Sequence, residues 1–147
     1  MLGRTHLIFS SFLLILFFYF YHFDILNNLF LVSMFLFSSI FPDIDNRRSI
    51  LGRRIKLFSY LFKHRGFLHS IWALILFSGL IFLLNAKLGL VFMAGYLLHL
   101  ILDGMTREGI SFFSKRVRGP IVVGSVVEHT IYLSLLLLSL FLILASV

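Results

Sequence analysis

The sequence predicts an all-α integral membrane protein, with about five transmembrane helices and one basic amphipathic helix at the interface. Three observations lead there. Of 147 residues, 60% are hydrophobic and the mean hydropathy is +1.03, against about 45–50% apolar residues in soluble domains. The apolar residues gather into runs close to the about 17–25 residues that a spanning helix needs. The breaks between the runs hold nearly all of the charge. The length suits a single membrane-embedded domain over residues 1–147.

Each element has a local reason. The stretch from 7 to 41 is almost continuously apolar but breaks at "YHFDILNN", so it divides into helices over 7–23 and 25–41. Pro42 disfavours helical geometry at Phe41 and ends the second helix. No Ala-x-Ala-like cleavage site follows the first run, so it is expected to be retained as a span. In residues 50–63, Ile50, Leu51, Ile55, Phe58, Leu61 and Phe62 share one helical face. Arg53, Lys56, Ser59 and Lys63 share the other, with Arg54 the exception. That pattern predicts a basic amphipathic helix in the headgroup region; an ordinary surface helix of the bundle is the plainer alternative. A third span is expected over 67–84, a turn at "NAKLG", and a fourth over 88–102. The polar loop "DGMTREGISFFSKRVRGP" then leads to a last span over 126–147.

Five crossings bring the charges to one side. Twelve of the thirteen Lys and Arg residues fall on the side of the N-terminus, and Lys87 alone falls on the other. The positive-inside rule makes the N-terminal side cytoplasmic and puts the C-terminus outside. The basic excess thus reports orientation and contact with anionic lipid, and no nucleic-acid partner is expected. His6, Asp43, Asp45, His64, His69, His99, Asp103, Glu108, Glu128 and His129 also fall at or near the cytoplasmic side, with only His22 and Asp24 opposite. Nothing in the positive-inside rule sorts histidines and acids in this way.

These groups have a shared chemistry. His99 and Asp103 in "HLILD" are four residues apart, on one helical face, in the last turn of an apolar span. An ionisable residue at that depth points to function, although such a pair can also simply staple a bundle. His64 and His69 in "HRGFLHS" lie about 140° apart around a helix, so they reach one site only if Gly66 turns the chain. Asp43 and Asp45 follow Pro42, where they can be ligands or turn-forming residues. Taken alone, His6 reads as an interfacial histidine, and Glu128 needs a partner if buried. With no cysteine in the chain, a metal must be held by imidazole and carboxylate. Taken together, His6, Asp43, His64, His69, His99 and Asp103 are the candidate ligands of a divalent cation. Asp45 and Glu128 are further ligands or bases beside them. Arg65, between two histidines, is suited to bind a phosphate oxygen.

The blocks "THLIFS", "FPDIDNRRSILGRRIKL", "KHRGFLHS", "GYLLHLILDGMTREGI" and "VVEHTIY" resemble, in order, those of the YdjM-like family of inner-membrane, metal-dependent hydrolases. The resemblance covers nearly the whole chain. Leu68 stands where that family usually has threonine, Asn46-Arg47 where it often has His-Pro, and Arg107 where it has a loop proline. The order His, Asp, His, His-x-x-x-Asp, Glu is also similar to that of the soluble zinc phospholipases C and related nucleases. That likeness implies one to three zinc ions and a phosphoester substrate, and the membrane setting implies a phospholipid headgroup. The expected function is therefore a membrane-bound hydrolase using metal-activated water at the cytoplasmic face. The alternative is a non-enzymatic membrane protein whose His/Asp cluster is structural or regulatory. A metal or proton transporter ranks last, because the fifth span is featureless beyond His129.

Overall fold

The computed structural model describes residues 1–21, 27–47, 49–61, 65–112 and 115–145. Its elements run α1 (Gly3–Tyr21), α2 (Leu29–Ile40), a 3-10 turn (Phe41–Asp45), α3 (Lys56–Leu61) and a second 3-10 turn (Phe67–His69). There follow α4 (Ile71–Leu84), α5 (Ala86–Gly104), β1 (Ile110–Phe112), β2 (Lys115–Val117) and α6 (Val126–Ala145). The five apolar helices expected from the sequence are α1, α2, α4, α5 and α6. Of these, α1, α5 and α6 are long and apolar enough to cross a membrane, and α4 is apolar but has 14 residues. Large side chains such as Phe20, Leu84, Leu137 and Phe141 face outward, as on a lipid-facing surface.

α5 is the central helix, packed between α2 and α4. Its buried positions 89, 92, 96, 99 and 103 recur three and four residues apart, so one stripe meets both neighbours. Two glycines let the backbones approach. A Cβ at Gly89 would lie 2.5 Å from Phe82 Cα of α4, and one at Gly95 would strike Ser38 Oγ and the Phe35 carbonyl of α2. Small residues at such crossings are the usual device of membrane helix pairs. Asn85 forms the α4–α5 corner, its side chain accepting the Leu88 N–H at 3.1 Å. Ser70 caps α4 through the Ala73 N–H at 3.3 Å. α1 lies against α6 and α2.

This connectivity has one consequence for chemistry. The starts of α1, α4 and α6 and the ends of α2 and α5 meet at one end of the bundle, bringing His6, His69, Glu128, Asp43, Asp45, His99 and Asp103 there.

Two expectations are corrected. Within 50–63 only Lys56–Leu61 is helical among the described residues, and the chain before it is an ordered turn. The cause is tertiary. The Ser49 hydroxyl donates to the Asp43 carbonyl at 2.6 Å and accepts the Gly52 N–H at 2.8 Å. A Cβ at Gly52 would overlap the Asn46 carbonyl. The segment is folded back on the Phe41–Asp45 turn, so no long amphipathic face forms. The segment expected to be a polar loop in an all-α chain contains an antiparallel pair, β1 with β2, in the register Ile110–Val117, Ser111–Arg116 and Phe112–Lys115.

Candidate metal centre

His99 sits on the buried stripe of α5, one turn before Asp103, and both are buried. α2 ends where Pro42 interrupts it, and near that end the Ser39 carbonyl accepts a hydrogen bond from His99 Nδ1 at 2.8 Å. A carbonyl can only accept, so Nδ1 carries the proton and Nε2 keeps its lone pair. That Nε2 faces the cluster, 3.3 Å from His69 Nε2, 3.9 Å from Asp103 Oδ2 and 4.0 Å from Asp43 Oδ1. The rings of His6 and His99 stack at 3.9 Å between centroids, and His6 Nε2 lies 3.3 Å from Asp103 Oδ1.

His69 is brought in by the second 3-10 turn. Its Nδ1 lies 3.2 Å from Asp45 Oδ2, and its Nε2 lies 3.5 Å from Asp103 Oδ2 and 3.6 Å from Asp43 Oδ1. Asp45 thus stands behind the ring, while Asp43 and Asp103 stand before it. Burial pulls the His69 imidazole down, but hydrogen bonds to Asp43 and Asp45 outweigh it and raise its pKa to about 9. Burial pushes the Asp43 carboxyl up, yet the His69 hydrogen bond and the electrostatics of the neighbouring imidazoles hold it well below the usual carboxylate range.

Three overlapping groups therefore bring their donor atoms within 4.8 Å: His6, Asp43 and His99; His69, His99 and Asp103; Asp43, Asp45 and His69. The donor chemistry fits a divalent cation, being imidazole and carboxylate without thiolate. Two further features fit. Two imidazole Nε2 atoms face one another beside carboxylates, and His6 Nδ1 is buried with no hydrogen-bond partner among the described residues.

A family model described as "YdjM inner membrane protein" matches residues 1–146. The chain belongs to the YdjM family. The inner membrane protein YdjM of Escherichia coli (strain K12) and that of Shigella flexneri are each 32% identical to it over 124 residues. The match covers 71% of this chain and 62% of each relative. The chain thus spans about 62% of the length of these curated relatives. No solved structure matches it.

In this YdjM-family chain the remaining candidates take distinct places. His64 lies outside the described residues, as do His22 and Asp24. Glu128 is buried, with Oε1 accepting the Leu2 N–H at 2.6 Å and Oε2 accepting the Gly124 N–H at 2.7 Å. Its carboxylate ties the start of α1 to the start of α6, and it is in none of the three donor groups. The Met1 amino group is paired with Asp103.

Arg65 has a positive φ of 58°, which a residue other than glycine adopts only under constraint. Its N–H donates to Asp45 Oδ2 at 3.1 Å. Its guanidinium donates to Thr106 Oγ1 at 3.2 Å and the Gly109 carbonyl at 3.0 Å, and pairs with Asp103 at 3.3 Å and Glu108 at 3.2 Å. The side chain expected to clamp a phosphate therefore braces the Asp103 carboxylate.

The sequence reading missed Thr106, the Ser39 carbonyl and the cleft above the cluster. Thr106 is buried, donates to the Asp103 carbonyl at 2.7 Å and accepts from Arg65. Its place three residues after Asp103 was the available signal. A backbone carbonyl leaves no signal in sequence. The cleft, about 460 Å³, is lined by Asp43, Asn46, Ser49, Arg65 and Glu108 together with the first residues of the chain.

Proposed function

We propose that the chain is a membrane-embedded, divalent-metal-dependent hydrolase of a phosphoester, with a phospholipid headgroup as its substrate class. It would cross the bilayer five times, with the cluster at the cytoplasmic face and the C-terminus outside. The observation that carries this reading is the buried pair His69 and His99. Their Nε2 atoms face each other at 3.3 Å, each ring oriented from behind by Asp45 or the Ser39 carbonyl. A histidine held by a carboxylate or carbonyl on its far nitrogen is the usual arrangement of a metal ligand.

His6, Asp43, His69, His99 and Asp103 would hold the metal, and zinc is the ion that such donors favour, with one to three ions accommodated. The bound cation would supply polarisation of a phosphoryl oxygen and a water acidic enough to ionise near neutral pH. The rest falls to the chain. Asp45 and Ser39 hold the two imidazoles in their tautomers. Arg65 and Thr106 fix Asp103. Asp43, at 6% the most exposed of the three cluster aspartates, opens on the cleft, so a headgroup phosphate would meet the cluster from that side. The twelve basic residues assigned to this side would draw anionic lipid toward it.

One observation favours a second reading, a non-enzymatic polar core that joins the helix ends: the donors of Arg65 already meet Thr106, Gly109, Asp103 and Glu108. Elemental analysis of detergent-purified protein, followed by headgroup release from phospholipid micelles, separates the two. Bound divalent metal with metal-dependent release supports the hydrolase. Protein that stays metal-free after incubation with zinc and manganese overturns it.

A further inference from the structure

The opposite end of the bundle carries a second feature that the metal centre does not use. α1, α2 and α5 enclose a groove of about 520 Å³, lined by apolar residues including Leu13, Phe17, Leu31, Phe35 and Val91, with Lys87 at its edge. That volume is within the about 300–1,000 Å³ typical of small-molecule sites. Leu31 and Lys87 also line an adjoining polar cleft with Asn27, Asn28 and Asn85. Lys87 is exposed and makes no ion pair among the described residues. The Asn85 side chain spends its oxygen on the Leu88 N–H and leaves its NH2 as a donor.

We infer that this groove binds one anionic phospholipid, its acyl chain between α1, α2 and α5 and its phosphate at Lys87 and Asn85. The physical reason is the join between the two cavities. The apolar trough ends at a cation with the Asn85 NH2 beside it, a pairing that suits an amphipathic anion. Lys87 is twelve residues from His99 along α5, about 18 Å, so this lipid is not the one that would reach the metal centre. The site stands whether or not the chain is a hydrolase.

Native mass spectrometry of the delipidated full chain, titrated with phosphatidylglycerol or phosphatidylcholine, tests it. The wild type should retain one phosphatidylglycerol in preference to phosphatidylcholine. Lys87→Gln should lower that retention about fivefold, the weight of one basic residue near an anionic headgroup. Lys87→Arg should restore it. Val91→Trp, which fills the trough, should lower retention of both lipids. Free glycerol phosphate should not compete, because it lacks the chain. Equal retention of both lipids by wild type and Lys87→Gln would mean ordinary annular lipid and overturn the inference. So would a second copy of the chain in place of the lipid. If Val91→Trp fails to fold, the two Lys87 variants decide the matter alone. Metal content, read in the same samples, reports separately on the other end of the molecule.

Discussion

Replacing Asp45 by asparagine isolates the orienting role of one carboxylate. Asp45 Oδ2 lies 3.2 Å from His69 Nδ1 and accepts the Arg65 N–H at 3.1 Å. Asparagine keeps the shape and one oxygen acceptor, so the backbone turn at Arg65 survives. It removes the negative charge behind the imidazole and with it part of the ring's basicity. Changes of this kind weaken metal binding about 10- to 100-fold, which is about 1.4–2.7 kcal/mol. Asp43→Asn, by contrast, removes a carboxylate whose oxygen faces both His69 Nε2 and His99 Nε2, and should lower occupancy to near nothing. The assay is competition between the purified protein and a chelator of known affinity, with zinc counted by elemental analysis. Asp45→Asn should fill again once metal exceeds its weakened dissociation constant. Unchanged affinity would refute the orienting role. A variant that stays empty at saturating metal would make Asp45 a ligand.

Other outcomes follow from the same geometry. His99→Ala or Asp103→Ala should abolish metal binding and any phosphoester hydrolysis; full metal occupancy in the double variant would refute the site. Metal uptake should release protons, because His69, its pKa raised to about 9, holds a proton at neutral pH that a cation must displace, whereas Asp43, held low, has none to give. Affinity should therefore fall about tenfold per pH unit below about 9 for that one proton, read by calorimetry in buffers of different ionisation enthalpy. Gly95→Ala should lower the thermal midpoint in detergent, since its Cβ would strike Ser38 and the Phe35 carbonyl at about 1–3 kcal/mol. Gly79→Ala, with nothing within 4 Å, should be neutral or stabilising in the same melt.

What the sequence disclosed depended on the range of the interaction. His99 and Asp103 were legible because a helix repeat puts residues four apart on one face, and their depth in an apolar run marked them. The meeting of His6, Asp43 and His69 with them was legible through the order of the helices: a chain that runs up and down a bundle returns every second loop to the same end. The fold-back at 46–54 was not, because it rests on Ser49 and Gly52 contacting Asp43 and Asn46, while apolar and basic residues at helical spacing in that segment imitate an amphipathic helix. The β1–β2 pair was hidden for a similar reason, since three-residue strands carry too little periodicity to read. The difference between Asp43 and Asp45 was also invisible. Two aspartates two residues apart read alike until the imidazole between them shows which of its nitrogens each one meets. The groove near Lys87 draws its walls from three helices distant in sequence, and no single run of residues announces it.

The metal-binding and structural readings of the cluster differ in how its charge is balanced. Asp43, Asp45 and Asp103 are all buried, and buried carboxylates are tolerated only when paired. Arg65 and the Met1 amino group meet Asp103, and His69 stands between Asp43 and Asp45. Without metal, the imidazolium supplies one positive charge between these two carboxylates, and its raised pKa follows from them. With a divalent cation, the ligand imidazole must be neutral, so His69 surrenders its proton and the cation takes over the same electrostatic duty. The protein can therefore fold without metal and still be built to bind one. Folding of the metal-free chain does not separate the two readings, whereas uptake of a cation with release of the His69 proton does.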